Sequence, residues 1–151
     1  MKVAIGSDHG GLDMKQELIS YLTKKGFEMF DIGIYDTKDP EQCHYPLVAE
    51  KMGKTIQSGE SELGILICGT GIGISIAANK MKGIRAAHVG CEFDAKYTRL
   101  HNNANVLCLG GRTMGMGVAC EIAEIFLTTP FSGDERHKKR IQLIADMEEN
   151  F

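Results

Sequence analysis

Residues 64–79 read Gly-Ile-Leu-Ile-Cys-Gly-Thr-Gly-Ile-Gly-Ile-Ser-Ile-Ala-Ala-Asn, an apolar run broken by alternating glycines. A short apolar run that ends in a glycine-rich turn predicts a buried parallel strand that leads into a helix. Cys68 then lies at the carboxyl end of the strand, where open α/β sheets bind their ligands. The glycines that follow it let backbone amides approach a ligand at the positive end of the helix. The stretch therefore predicts an anion or oxyanion site with a thiol at its edge.

Length and composition restrict the class of protein. A chain of 151 residues, 43% of them hydrophobic and 25% charged, is typical of one globular unit, so residues 1–151 are expected to form a single domain. The net charge of −3 disfavours nucleic-acid and membrane-surface partners. The apolar runs are too short to span a bilayer, and the chain enters a strand without a leader pattern. Its five cysteines show no paired spacing, so a reduced, cytoplasmic location is expected.

Strand and helix patterns alternate along the chain. Strands are predicted at residues 3–6, 27–32, 63–68, 83–89 and 105–109, and helices at residues 12–25, 46–59, 72–81, 92–102, 116–127 and 134–149. The longest connection of the first half, residues 35–45, is polar and contains Asp39-Pro40. In the first helix, Leu18 and Leu22 are expected to face the core, and Lys15 the solvent. The pattern predicts a doubly wound, Rossmann-like α/β fold: a five-stranded parallel sheet with helices on both faces and an extra C-terminal helix.

Polar side chains follow three of the predicted strands. Asp8 and His9 come after the first strand, Cys68 ends the third, and Arg112 follows the fifth. Because the carboxyl ends of parallel strands meet at one edge of a sheet, these side chains are expected to share a crevice. His101 ends the helix before the fifth strand and is therefore expected nearer the opposite edge.

A thiol beside a glycine loop is compatible with several chemistries. Cys68 could be an inert buried side chain, whereas a thiol at a helix start can act as a nucleophile or as an acid and base. A dinucleotide fingerprint needs glycine at position 74 and a cysteine-phosphatase loop needs arginine there, but Ile74 is neither. A phosphate-binding loop, which carries a lysine directly after its glycines, is also excluded, because the first lysine that follows these glycines is Lys80. Glu92 stands at the spacing of a ribose-binding acid, so a nucleotide-binding module without catalysis stays open as an alternative.

The other polar candidates also have simpler interpretations. Asp8 and His9 could be ordinary turn residues, and His101 could be a helix cap. Arg136 and Arg140 are four residues apart on the last helix, which is typical of a solvated face or, together with a third arginine, of a phosphate clamp. Since His and Cys do not cluster at zinc-ligand spacing, no metal site is expected.

Six separated motifs follow one another in order along nearly the whole chain. They are Gly6-Ser7-Asp8-His9, His44-Tyr45-Pro46, Cys68-Gly69-Thr70-Gly71-Ile72-Gly73, Gly83-Ile84-Arg85-Ala86, His101-Asn102-Asn103-Ala104-Asn105, and residues 133–140 with Arg136-His137. Together they resemble the B-type ribose-5-phosphate isomerases and related sugar-phosphate isomerases, the RpiB/LacAB family. The resemblance implies an aldose–ketose isomerase that uses no metal or organic cofactor. It also implies a homodimer or tetramer whose sites lie across the subunit interface.

The resemblance implies a role for each candidate residue. Cys68 would move the proton between C2 and C1 of the open-chain sugar, and Thr70 would orient the thiol. His101 would help to open the furanose ring, with Asp8 as its partner on the sugar hydroxyls. The substrate-binding residues would be the amides of Gly69, Gly71 and Gly73 on the enediolate oxygen, Asn102 and Tyr45 on the substrate, and His9, Arg112, Arg136 and Arg140 on the phosphate.

Two departures from the family pattern bear on the choice of sugar. His44 stands where many ribose-phosphate members carry an acid and some hexose-phosphate members carry histidine, and the turn before Arg136 is one residue longer than is common. Cys68, His101 and Arg112 together favour the interconversion of D-ribose 5-phosphate and D-ribulose 5-phosphate. The alternative is a hexose-6-phosphate isomerase that acts on allose or galactose 6-phosphate.

Overall fold

The computed structural model describes residues 1–36, 38 and 40–151, so Asp39 of the predicted polar connection lies outside the described residues. Its strands are β1 (Lys2–Ser7), β2 (Glu28–Asp31), β3 (Leu63–Cys68), β4 (Ala86–His88) and β5 (Val106–Gly110). Its α-helices are α1 (Leu12–Lys24), α2 (Tyr45–Gln57), α3 (Ile72–Ala78), α4 (Glu92–Asn102), α5 (Met116–Thr128) and α6 (Glu135–Asn150). Short 3-10 turns occupy His9–Gly11 and Pro40–Cys43.

The five strands form one parallel sheet in the order β2-β1-β3-β5-β4. Ile5 of β1 pairs with Ile65 of β3, and Ile65 pairs in turn with Leu107 of β5. From β1 the chain first adds β2 on one side of the sheet and then β3 on the other, so the connections after β1 and β3 leave in opposite directions and open a crevice. The sheet and its helices confirm the predicted doubly wound, Rossmann-like fold.

Two apolar cores lie on the two faces of the sheet. Ile65 and Ile67 of β3 point into the core closed by α1, α4 and α5, whereas Leu66 and Cys68 point into the core closed by α2 and α3. Every residue of β3 is buried, which is why this strand reads as a continuous apolar run rather than an alternating one. Strand parity therefore directs the Cys68 side chain toward α3.

Two elements lack three predicted residues at one end. The helix predicted to reach residue 81 ends at Ala78, and the strand predicted from residue 83 begins at Ala86. The Asn79 amide accounts for both differences, because its Nδ2 donates to the Ala86 carbonyl and its Oδ1 accepts from the Ala86 amide, each at 2.8 Å. Gly83 adopts a positive φ of 76°, which turns the chain before the strand starts.

The expectation that Lys15 faces solvent is wrong. Its side chain is 1% exposed, and its Nζ donates to Asp31 Oδ1 at 2.8 Å and to the Ile34 carbonyl at 2.5 Å. Asp31 Oδ1 also accepts the Gly33 amide at 2.9 Å, so one ion pair fixes the chain as it leaves β2. A buried ammonium needs such partners because desolvation of an unpaired charge is costly. Helical periodicity could not predict the partners of Lys15, because Asp31 lies on β2 and Ile34 on the loop that follows it.

We expect Lys15→Met to lower the free energy of unfolding by about 3 kcal/mol, since Asp31 and the Ile34 carbonyl lose their shared donor. Urea denaturation measures the change. Lys54→Met is the matched control, because Lys54 forms an ion pair with Glu50 in which both side chains are largely exposed. The control is expected to stay within about 0.5 kcal/mol of the parent chain. Equal losses in the two variants would contradict a special role for the buried pair.

Candidate active site

The loops that follow β1, β3 and β5 meet at the carboxyl edge of the sheet, as the strand topology predicts. The amide of Gly111 donates to the Cys68 carbonyl at 2.8 Å, and the amide of Arg112 donates to the Gly69 carbonyl at 2.9 Å. On the other side of β3, the amide of Asp8 donates to the Ile67 carbonyl at 3.1 Å. These bonds continue the sheet beyond its strands and place the three sets of polar residues around one crevice.

The thiol of Cys68 lies at the floor of this crevice. Cys68 is 5% exposed, and its Sγ accepts a hydrogen bond from the Gly71 amide at 3.1 Å. Gly71 has φ +80°, and a Cβ added there would lie 2.8 Å from the carbonyl carbon of Leu109. Only glycine combines this conformation with so close an approach to β5. The loop therefore holds one backbone N–H on the sulfur atom.

Thr70 and Gly73 shape the start of α3. Thr70 Oγ1 accepts the Ile72 amide at 3.2 Å, which satisfies one of the free N–H groups of the first turn. A Cβ on Gly73 would lie 2.8 Å from the Tyr45 ring. The ring of Tyr45, the first residue of α2, therefore packs directly on this glycine. The wall of the crevice thus includes the glycine loop and Tyr45.

Asp8, His9 and Arg112 form the opposite wall. Asp8 is buried and accepts the Gly10 amide at 2.8 Å. Burial raises the pKa of its carboxyl group, and the Gly10 bond together with the His9 and Arg112 charges opposes that shift only in part. The Arg112 guanidinium lies over Gly69, with Nη1 3.1 Å from the Cβ position of that glycine. The exposed side chains of His9 and Arg112 therefore flank the thiol loop.

The remaining candidates lie in a second group, away from the crevice. Helix α4 returns the chain from the carboxyl end of β4 to the start of β5, which carries His101 and Asn102 toward the amino edge of the sheet. The His101 ring packs on the rings of Tyr97 and His137, at centroid distances of 4.9 and 4.2 Å. Arg136 and Arg140 are exposed on α6 beside His137. The candidate residues of one chain therefore fall into two groups.

Two histidines near these groups were not singled out from the sequence. His137 is buried, its Nδ1 lies 2.9 Å from Ser132 Oγ, and burial lowers its pKa. Its place next to Arg136 in the terminal motif was the available signal. His88 ends β4, and its Nε2 lies 2.9 Å from the Thr70 carbonyl oxygen. The rule that selected Asp8, Cys68 and Arg112 at strand ends would also have selected His88.

The part of the chain that the structure describes contains neither a cluster of possible metal ligands nor a membrane-spanning helix. No three His, Cys, Asp or Glu side chains come together there as possible metal ligands. None of the described helices combines the length and the apolar character that crossing a membrane requires.

Gly71→Ala is expected to destabilise the protein more than Gly83→Ala. Both glycines have φ near +80°, so both variants place a Cβ in the left-handed region at about 1 kcal/mol. A Cβ at Gly83 meets no atom within 4 Å, whereas one at Gly71 collides with the β5 backbone, which adds roughly 1–3 kcal/mol. Urea denaturation of the two variants measures the difference. Equal losses would show that the loop can move away from β5 without cost.

Known proteins resemble this chain along nearly its whole length. The family model described as Ribose/Galactose Isomerase matches residues 3–144. Ribose-5-phosphate isomerase B of Escherichia coli is 39% identical over 148 residues, which cover 98% of this chain and 97% of that protein. Galactose-6-phosphate isomerase subunit LacB of Clostridium acetobutylicum is 39% identical over 150 residues, which cover 99% of this chain and 85% of that protein.

A solved structure extends the likeness to three dimensions. Ribose-5-phosphate isomerase B of Clostridium thermocellum matches with a TM-score of 0.94 and 43% sequence identity, and the match covers 99% of both chains. Sequence, topology and the glycine loop beside Cys68 thus lead to one conclusion: this chain is an isomerase and belongs to the Ribose/Galactose Isomerase family of sugar-phosphate isomerases.

Proposed function

We propose that the chain interconverts D-ribose 5-phosphate and D-ribulose 5-phosphate by proton transfer through an enediolate. The observation that carries the proposal is the Cys68 thiol held 3.1 Å from the Gly71 amide at the carboxyl edge of the sheet. A base there removes the C2 proton of the open-chain aldose, and the electron pair forms the C1–C2 double bond of the enediolate. Return of the proton to C1, with a proton shift from O2 to O1, yields the ketose without any oxidant or reductant.

The residues of the crevice fit these steps. Cys68 acts as the proton carrier, and Thr70 orients it. The amides of Gly69, Gly71 and Gly73 stabilise the enediolate oxygen, and loss of one such donor typically reduces the rate about 10²–10³-fold. The reaction as proposed needs neither metal nor organic cofactor, because the charge that develops is met by fixed N–H dipoles.

Phosphate recognition gives the cationic side chains a common role. His9 and Arg112 flank the loop. Arg136 and Arg140 lie on α6, in the second group of candidate residues with His101. A guanidinium binds phosphate through paired N–H donors, which supplies binding energy remote from the reacting carbons. Asp8 and His101 act on the sugar hydroxyls during ring opening, with Asn102 and Tyr45 as further substrate contacts.

A second copy of the chain completes the site in this proposal. In this scheme His101, Asn102, Arg136 and Arg140 act on the substrate held in the crevice of a neighbouring chain of a homodimer or tetramer. The surface beside the thiol loop supports such an interface: Ile72 and Ile76 lie one turn apart on α3 and are 51% and 58% exposed, and Phe93 of α4 is 67% exposed. Exposed apolar side chains of this size favour burial against another chain.

A hexose 6-phosphate is the second candidate substrate. His44 lines a surface pocket with His9, Pro40 and Cys43, close to the phosphate-binding residues. A galactose-6-phosphate isomerase subunit is as similar to this chain as a ribose-5-phosphate isomerase is. Sequence similarity therefore does not choose between the five-carbon and the six-carbon sugar.

Steady-state kinetics on ribose 5-phosphate, allose 6-phosphate and galactose 6-phosphate test the substrate. We expect the highest kcat/KM on ribose 5-phosphate, in the presence or absence of EDTA. A higher kcat/KM on either hexose phosphate would replace the proposed substrate by the alternative. Loss of activity in EDTA would contradict metal-independent chemistry.

Cys68→Ala is expected to reduce kcat about 10²–10⁴-fold, the usual contribution of a positioned acid or base. Cys120→Ala serves as the control, since Cys120 is a half-buried residue of α5 outside the crevice. Both variants should unfold at urea concentrations close to that of the parent chain. A fully active Cys68→Ala protein would overturn the proposed mechanism.

Mixing two inactive variants tests whether the site is shared between chains. Cys68→Ala and His101→Ala are expected to be inactive separately. Refolding them together at equal amounts is expected to restore about a quarter of parental activity, because half of randomly formed dimers then contain one intact site. Absence of any restored activity would show that Cys68 and His101 act within one chain.

A further inference from the structure

His88 contacts the thiol loop from the neighbouring edge of the sheet. It is the last residue of β4, and its ring Nε2 lies 2.9 Å from the Thr70 carbonyl oxygen. A carbonyl oxygen only accepts hydrogen bonds, so Nε2 must carry the proton. The neutral ring is therefore the Nε2–H tautomer, and the contact is a donation from His88 to the loop.

The peptide group that accepts this bond also contacts the thiol. Its carbonyl belongs to Thr70 and receives the His88 proton, while its N–H belongs to Gly71 and donates to Cys68 Sγ at 3.1 Å. A hydrogen bond on the oxygen of a peptide polarises the group and strengthens its N–H as a donor by about 10–30%. A stronger donor stabilises negative charge on the sulfur atom more than it stabilises the neutral thiol.

The Thr70–Gly71 peptide packs closely against β5 and His88. The loop crosses the end of β5, which separates β3 from β4 in the sheet. A Cβ on Gly110 would lie 2.7 Å from the Thr70 carbonyl oxygen, and a Cβ on Gly71 would lie 2.7 Å from Cδ2 of the His88 ring. Gly71 and Gly110 therefore allow the loop to pass over the end of β5. On the other side of β5, His88 contacts the Thr70 carbonyl of the loop.

We propose that His88 is a positioning residue for Cys68 that acts through the Thr70–Gly71 peptide, holding its amide on the sulfur and favouring the thiolate. The inference rests on the proposed role of Cys68 as proton carrier. His88 itself touches no reacting atom in this scheme, so it tunes the proton carrier rather than replacing it.

His88, the Thr70–Gly71 peptide and Cys68 together form a hydrogen-bonded relay. Other titratable groups face its two ends. Asp94, Tyr97 and His101 of α4 line the same groove as His88. The thiol of Cys108, opposite His88 on β5, is fully buried, and burial raises its pKa. The Asp8 and Arg112 side chains lie on the Cys68 side of the loop. All of these groups stay unchanged when position 88 is substituted, so differences between variants report the relay itself.

The test compares His88→Leu with His88→Gln. Leucine removes the donor, whereas glutamine carries a donating Nε2 at the same number of bonds from Cα as the histidine Nε2. The rate of Cys68 alkylation by iodoacetamide is followed against pH by peptide mass spectrometry, with Cys108 as an internal reference. Steady-state kcat and KM on ribose 5-phosphate are measured for the same proteins, and urea denaturation checks that each is folded.

In His88→Leu, the midpoint of Cys68 alkylation is expected to move up by about half a unit to one pH unit. The value of kcat should fall about 3- to 10-fold, which is the usual worth of one hydrogen bond, while KM changes less than about 2-fold. His88→Gln should restore most of both properties. His88→Met, a second variant without a donor, should behave like His88→Leu.

An unchanged alkylation midpoint in both donor-free variants would overturn the inference. So would a loss of kcat in His88→Gln as large as in His88→Leu, because that result would assign the effect to packing of the ring. These results are distinct from failure of the proposed function, which would appear as an active Cys68→Ala protein. The alkylation profile reports on the relay whether or not Cys68 is the proton carrier.

Discussion

The backbone hydrogen bonds at the carboxyl end of β3 are the constraint on which the rest of the site depends. The carbonyls of Ile67, Cys68 and Gly69 accept amides from the loops that follow β1 and β5, so three connections are held to one strand end. Buried backbone groups require partners, and here each loop supplies the partners of another. The thiol consequently stands on a fixed scaffold rather than on a mobile loop, which is what a preorganised site requires.

Close approach of these loops explains the distribution of glycines around the crevice. A Cβ on Gly111 would lie 2.5 Å from the Gly10 carbonyl oxygen, and one on Gly10 would lie 2.9 Å from the Gly69 amide nitrogen. Gly71 and Gly110 serve the crossing over β5 in the same way. Absent side chains thus allow backbone N–H groups to gather around Cys68, where a developing enediolate would need them.

The candidate residues fall into two groups because helix α4 runs opposite to the strands. The crevice holds the thiol, and the far end of α4 holds His101 against the buried His137. Burial favours the neutral form of both Asp8 and His137, since it raises the pKa of the carboxyl group and lowers that of the imidazole. Each group therefore contains one buried titratable side chain beside exposed basic side chains.

The sequence by itself determined the sheet, its strand ends and the thiol at the glycine loop, because apolar periodicity and glycine punctuation are local signals that each segment carries alone. Only the tertiary structure decided that Lys15 is buried on Asp31, that His88 reaches Thr70 and that His101 packs on His137. Each of these facts depends on a partner from another element, and the helix ends at Ala78 for the same reason, since Asn79 binds Ala86. Local pattern specifies which residues are available, and packing between distant segments specifies which of them meet.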